Sequence, residues 1–129
     1  MALAYSTTVR NAMLDAITSA AGASATLKFY NGTRPASGGT ATTLLATLTC
    51  SATFAPAASG GVLTLNAITG ANAVFTDTAT WFRIATSGGS FVIDGSVGTS
   101  LSDLNMTTTA FVSGQPVAVS SFVITEGNP

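Results

Sequence analysis

The chain has 129 residues; only 7% are charged, against about 25% in ordinary soluble domains, and the net charge is −1. With no histidine, one cysteine and four scattered basic residues, it excludes imidazole catalysis, an internal disulfide, cysteine-based zinc sites and nucleic-acid binding by phosphate neutralisation. The length fits one domain over 1–129, able to bury roughly two thirds of its unfolded surface.

Apolar residues make up 47% of the chain, but 22 of them are Ala, while 22 Thr and 14 Ser make the polar surface largely hydroxyl. Such a surface gives little mutual repulsion, which fits a subunit of a stoichiometric assembly better than a free monomer. MALAYSTTVR at the N-terminus has neither a basic leader nor an apolar run of seven, so no signal peptide is expected. No stretch approaches 18 consecutive apolar residues, so no membrane association and synthesis in a cytoplasm are expected.

From Ser6 to Ala21, Val9, Ala12, Met13, Ala16, Ile17, Ala20 and Ala21 recur at helical spacing. Ser6 or Thr7 can cap the start, and Gly22 stands where a left-handed C-terminal cap belongs. Arg10, Asn11, Asp15 and Thr18 form the polar face. The helix either covers a sheet face or end, or docks as an arm on a neighbouring subunit; the apolar stretch before it, with Leu3 and Tyr5, suits both roles.

Strands are expected at Thr26–Tyr30, Thr43–Cys50 and Val62–Ile68, where apolar and polar residues alternate. Asn31-Gly32 ends the first, and Arg34, held extended before Pro35, lies on an exposed loop. Gly70–Asn72 reads as a turn. The clearest hairpin is Thr78–Val97, TATWFRIATSGGSFVIDGSV. Phe82 and Ile84 alternate with Trp81 and Arg83, Ser87-Gly88-Gly89 turns, Ser90–Asp94 returns, and Asp94-Gly95 offers a further tight turn. Leu104–Val112 and Val117–Thr125 flank a Ser-Gly-Gln-Pro turn. The fold class implied is mainly β: an antiparallel β-sandwich or jelly-roll-like domain over about 25–126 with one N-terminal α-helix over about 6–21. Core candidates are Leu27, Phe29, Trp81, Phe82, Ile84, Phe91 and Ile93, with one face of the Trp81 strand covered by the opposite sheet and the other by the helix. Interface candidates are Leu3, Tyr5 and Arg34.

No reactive constellation emerges. None of Asp15, Asp77, Asp94, Asp103 and Glu126 sits in an apolar context that would tune a buried acid: Asp77 is among threonines, Asp94 precedes a turn glycine and Asp103 is in a Ser-rich loop; Cys50 reads as a small buried hydrophobe. Ser102-Asp103-Leu104-Asn105 lacks the glycine and closing Glu of a calcium loop, and no Gly-Lys-Ser/Thr accompanies the glycine pairs. No metal, cofactor, small-molecule substrate or enzymatic activity is expected.

NAMLDAI (Asn11–Ile17), NGTRPASGGTATTLLATLT (Asn31–Thr49), TATWFRI (Thr78–Ile84) and VIDGSVGT (Val92–Thr99) resemble a family of small structural proteins from tailed-bacteriophage gene clusters. The likeness runs over nearly the whole chain and brings no catalytic residues. It implies a virion structural protein, foremost a capsid decoration (cement) protein on the head shell. The partners would be copies of itself, a trimer in the first instance, and the major capsid protein. A tail or head–tail connector component, or a β module that binds a host surface through exposed aromatics such as Tyr30 or Phe54, are the alternatives.

Overall fold

The computed structural model describes residues 3–126; Met1 and Ala2 of the expected arm, and 127–129, lie outside them. Helix α1 (Thr7–Ala21) forms as its capping residues dictate. Ser6 Oγ accepts from the Val9 amide at 3.2 Å, and Gly22, at φ +69°, donates its N–H to the Thr18 carbonyl.

Its orientation differs from the expected one: Ile17 and Ala21 face inward as expected, but Val9 and Met13 do not, and the expected polar face is partly covered. Leu14 and Ala21 are buried and Arg10, Asn11, Asp15, Ile17 and Thr18 half-buried, whereas Val9 (44%) and Met13 (38%) are exposed. The cause is what lies beneath. The helix rests on irregular backbone whose polar groups need partners. The Ala58 amide donates to Asp15 Oδ1 at 2.8 Å, the Gly61 amide to Asn11 Oδ1 at 2.9 Å, and Arg10 Nη1 to the Glu126 carbonyl at 3.2 Å.

Eleven strands follow among the described residues: β1 (Thr26–Tyr30), β2 (Leu44–Thr49), β3 (Val62–Thr64), β4 (Ala71–Asn72), β5 (Asp77–Thr78), β6 (Trp81–Ala85), β7 (Phe91–Gly98), β8 (Leu104–Asn105), β9 (Ala110–Phe111), β10 (Pro116–Val117) and β11 (Val123–Thr125). Five form one curled mixed sheet in the order β2-β1-β6-β7-β8, antiparallel except for the β7–β8 pair. The others pair as two-stranded ribbons, β10–β4, β11–β3 and β5–β9. The fold is mainly β with one helix; its pairings do not divide into two broad antiparallel sheets as expected. The turn expected at Gly70–Asn72 is partly strand β4. The long strands expected at 104–112 and 117–125 are broken into short pieces.

The inner face of the sheet carries Leu27, Phe29, Phe82 and Ile84, all buried. The ribbons supply their partners: Phe111 meets Phe29 edge-on at 5.3 Å, and Phe122 meets Phe82 edge-on at 5.1 Å. Burying each such side chain contributes about 1.5–3 kcal/mol.

A bulge in the central hairpin decides which side chains face this core. Ala85 pairs with Phe91, but Ile84 pairs with Ile93 and Arg83 with Asp94, so one extra residue lies in β7. The shift flips the strand. Phe91 shares the outer face with Ala85 and is 41% exposed, which corrects its expected place in the core. Ile93 turns inward and is half-buried against the core. Asp94-Gly95 makes no turn; both lie within β7. Gly95 is buried opposite Phe82, whose ring occupies the space a β-carbon would need.

Candidate functional site

The outer face of β1, β6 and β7 carries the one concentrated polar and aromatic cluster among the described residues. Alternation along β6 puts Trp81 and Arg83 on this face, alternation along β1 adds Lys28 and Tyr30, and the β7 bulge adds Asp94. Lys28 pairs directly with Arg83, and Arg83 with Asp94, so Arg83 lies between a like charge on one neighbouring strand and an opposite charge on the other.

Arg83 and Asp94 form a two-pronged ion pair. Nε donates to Oδ1 at 2.7 Å and Nη2 to Oδ2 at 2.9 Å, with the side chains only 14% and 4% exposed. Nη2 also donates to the Gly39 carbonyl at 2.8 Å. The guanidinium lies 5.3 Å from the ring centres of both Trp81 and Phe91. Asp94 raises the Arg83 pKa above its ordinary value, so the cation is permanent.

Beside the pair, Tyr30 stacks on Trp81 at 4.4 Å with 17° between ring planes. Trp81 is 1% exposed, yet it does not belong to the main core. Its Nε1 donates to the Asn31 carbonyl and to Thr42 Oγ1, both at 3.0 Å. Burial pushes the Tyr30 phenol above its ordinary pKa.

What covers this face is the loop 31–43, not the helix, which packs on β3 and β7. Asn31 fastens the loop at both ends. Its Oδ1 accepts from the Thr43 amide at 3.1 Å, its Nδ2 donates to Asp77 Oδ2 at 2.7 Å, and its carbonyl accepts from Trp81. The Asn31 amide, together with the Thr78 amide, holds the exposed Asp77 carboxyl below its ordinary pKa. Farther along, the Gly38 amide reaches Asp94 Oδ2 at 3.4 Å, and Gly38 lies against the Phe91 ring at φ +72°.

The arrangement holds a loop; it does not present a reacting group. The carboxylate is neutralised by its own cation, and no group of three or more His, Cys, Asp or Glu capable of holding a metal occurs among the described residues. Cys50 is buried, and burial pushes its thiol up to about 11. A hollow of about 320 Å³ beside Met106, Phe111 and Val117 is lined without a charged side chain.

Of the interface candidates, Leu3 is 64% exposed, Tyr5 is half-buried, and Arg34 is exposed with Nη1 3.4 Å from the Asp94 carbonyl. Asn31, Thr42, Gly39 and Asp94 were not among the expected site residues. Asp94 had a legible signal, the opposite charge across a hairpin from Arg83, but the bulge moves it into register. Counted straight back from the turn, Asp94 would oppose Phe82.

No protein-family model, curated protein or solved structure matches this chain. No helix among the described residues is long and apolar enough to cross a membrane.

Proposed function

We propose that the chain is a bacteriophage virion structural protein without enzymatic activity, foremost a capsid decoration protein that stabilises the head shell. The observation that carries this reading is a surface nearly free of available charge, with an unpartnered apolar helix face. Two of the four basic residues are engaged internally, Arg83 by Asp94 and Gly39, Arg10 by Glu126 and Thr7. Val9 and Met13 stand exposed on the outward face of α1. Such a surface suits close, permanent contact with other subunits. A contact of roughly 800 Å² per partner, repeated about a symmetry axis, gives avidity without a tight single interface.

The resemblance to small tailed-phage structural proteins points the same way, with a trimer and the major capsid protein as partners. The ribbons bring Phe111 and Phe122 onto the inner face of the sheet, which supports reading the fold as an irregular variant of a β-sandwich. The tail or connector role shares all these features. The host-surface reading is less favoured, because Tyr30 and Phe54 are buried. Immuno-electron microscopy of particles tests the proposal. Label over the head supports decoration, label confined to the tail or neck shifts the role there, and absence from the particle overturns it.

A further inference from the structure

Of the six asparagines in the chain, Asn31 alone is followed by glycine. That pair is open to a reaction of its own. The carbonyl carbon of an asparagine side chain is electrophilic, and the backbone nitrogen of the next residue can close a five-membered ring on it. Glycine, with no side chain, shields its nitrogen least. In the folded chain the pair is held by its other polar atoms. The Asn31 N–H donates to the Thr43 carbonyl at 3.3 Å, and the Asn31 carbonyl accepts from Trp81 Nε1 and Thr42 Oγ1. The side chain is tied at both ends of its amide: Oδ1 accepts from the Thr43 amide at 3.1 Å, and Nδ2 donates to Asp77 Oδ2 at 2.7 Å. The Gly32 carbonyl accepts from Thr80 Oγ1 at 2.6 Å. The Gly32 nitrogen takes part in none of these bonds, so the side chain is restrained and the nucleophile is not. Asn31 is half-buried and Gly32 exposed, within reach of water.

We propose that Asn31 is a self-modification site, a deamidating asparagine guarded by Thr43 and Asp77, whose conversion opens loop 31–43 irreversibly. Water is the co-reactant. The Gly32 nitrogen gives its proton to solvent and bonds to Asn31 Cγ; the Cγ–Nδ2 bond breaks, and ammonia leaves with a proton taken from solvent. Water then opens the cyclic imide. Cleavage between the Gly32 nitrogen and Cγ gives aspartate at position 31. Cleavage between that nitrogen and the Asn31 backbone carbonyl carbon gives isoaspartate, with the chain rerouted through Cγ. Ring closure needs Cγ to turn onto the Gly32 nitrogen, and the bonds to Thr43 and Asp77 oppose that turn at both ends of the amide. The Asp77 carboxylate beside Nδ2 also repels the negative charge that builds as the ring closes. The rate therefore follows the population in which the loop is open. Both products remove the clasp. Aspartate sets a second anion against Asp77 where a donor stood. Isoaspartate lengthens the backbone by one carbon and turns the carbonyl that Trp81 and Thr42 hold into a free carboxylate. Either way the loop loses the residue that fastens both its ends, and Trp81 and Arg83 lose their cover. The inference concerns the chain itself and stands whether or not the virion reading does.

The test incubates the full chain in mildly alkaline buffer, native and urea-unfolded, and reads the exchange of NH for O at each asparagine by mass spectrometry of peptides. The unfolded chain is expected to convert at Asn31 ahead of its other asparagines, and the native chain at least about tenfold more slowly. Asp77→Ala changes an exposed side chain, and is expected to speed native conversion several-fold while circular dichroism stays that of wild type. Asn31→Asp carries the charge of the first product from the start. Amide hydrogen exchange in loop 31–43 should rise in it while β1 and β6 keep their protection. Native conversion as fast as unfolded, an unfolded chain that converts first elsewhere, or a folded Asp77→Ala chain as slow as wild type overturns the inference. Unchanged loop exchange in Asn31→Asp overturns it equally, and that measurement does not depend on how Asp77→Ala folds.

Discussion

Gly95 shows how one residue acts differently from its sequence context. After Asp94 it reads as a turn glycine, yet it sits inside β7, where the Phe82 ring and the Asp103 β-carbon leave no room for a side chain. Gly95→Ala is therefore expected to destabilise by about 1–3 kcal/mol through overpacking, read as a lower urea midpoint at unchanged slope. Asp94 carries a larger share. Asp94→Ala leaves the Arg83 guanidinium with Gly39 as its remaining hydrogen-bond acceptor, at a cost of about 3 kcal/mol. Because the same change frees the Gly38 amide, loop 31–43 should gain amide hydrogen exchange while the core strands keep their protection. Trp81→Ala is expected to cost about 3–5 kcal/mol, since it removes a stacked ring and two hydrogen bonds. An unchanged melting temperature with lost assembly would instead make Trp81 an interface residue.

At the scale of elements, α1 separates what periodicity tells from what it does not. Spacing and caps set its extent, but its apolar residues lie on two sides. Leu14 enters the core, while Val9 and Met13 face outward. The polar residues turned inward because they supply the partners of the Ala58 and Gly61 amides and the Glu126 carbonyl. Leu14→Ala should cost about 2–5 kcal/mol and Met13→Ala less than about 0.5 kcal/mol in the dissociated chain. Equal costs in thermal melts would mean that Leu14 and Met13 are buried alike, against the outward place of Met13. Loop 31–43 is the second such element. As sequence it reads as a solvated Gly/Pro turn region, but it closes over Trp81 and Arg83 and does for the outer sheet face what the helix was expected to do.

For the whole molecule, the pH response follows from burial. Cys50 titrates at about 11 in the folded chain against an ordinary value near 9, and Tyr30 is also raised. In both, folding favours the neutral form, so the stabilisation is fully present below the unfolded pKa and is lost as pH climbs through the folded one. Melting temperature is expected to fall from about pH 9 to about pH 11. Cys50→Ala, which removes the thiol, should flatten the first part of that fall. Iodoacetamide should label native Cys50 slowly and urea-unfolded chain quickly, because the thiol is buried.

Composition and local pattern determined the class of the protein: mainly β, one capped N-terminal helix, a hydroxyl surface poor in charge, and no chemistry from histidine or paired thiols. Those properties depend on residue type and near-neighbour spacing, which a sequence contains. Strands β1 and β6 and the inward places of Leu27, Phe29, Phe82 and Ile84 were legible for the same reason. Only the tertiary structure decided the register of β7, the inward face of α1, and the closure of loop 31–43 over Trp81. Each depends on which backbone groups lack a partner once distant segments meet. A one-residue bulge that moves Asp94 from the Phe82 side of the sheet to the Arg83 side leaves the composition and spacing of the hairpin unchanged, and reverses what each residue touches.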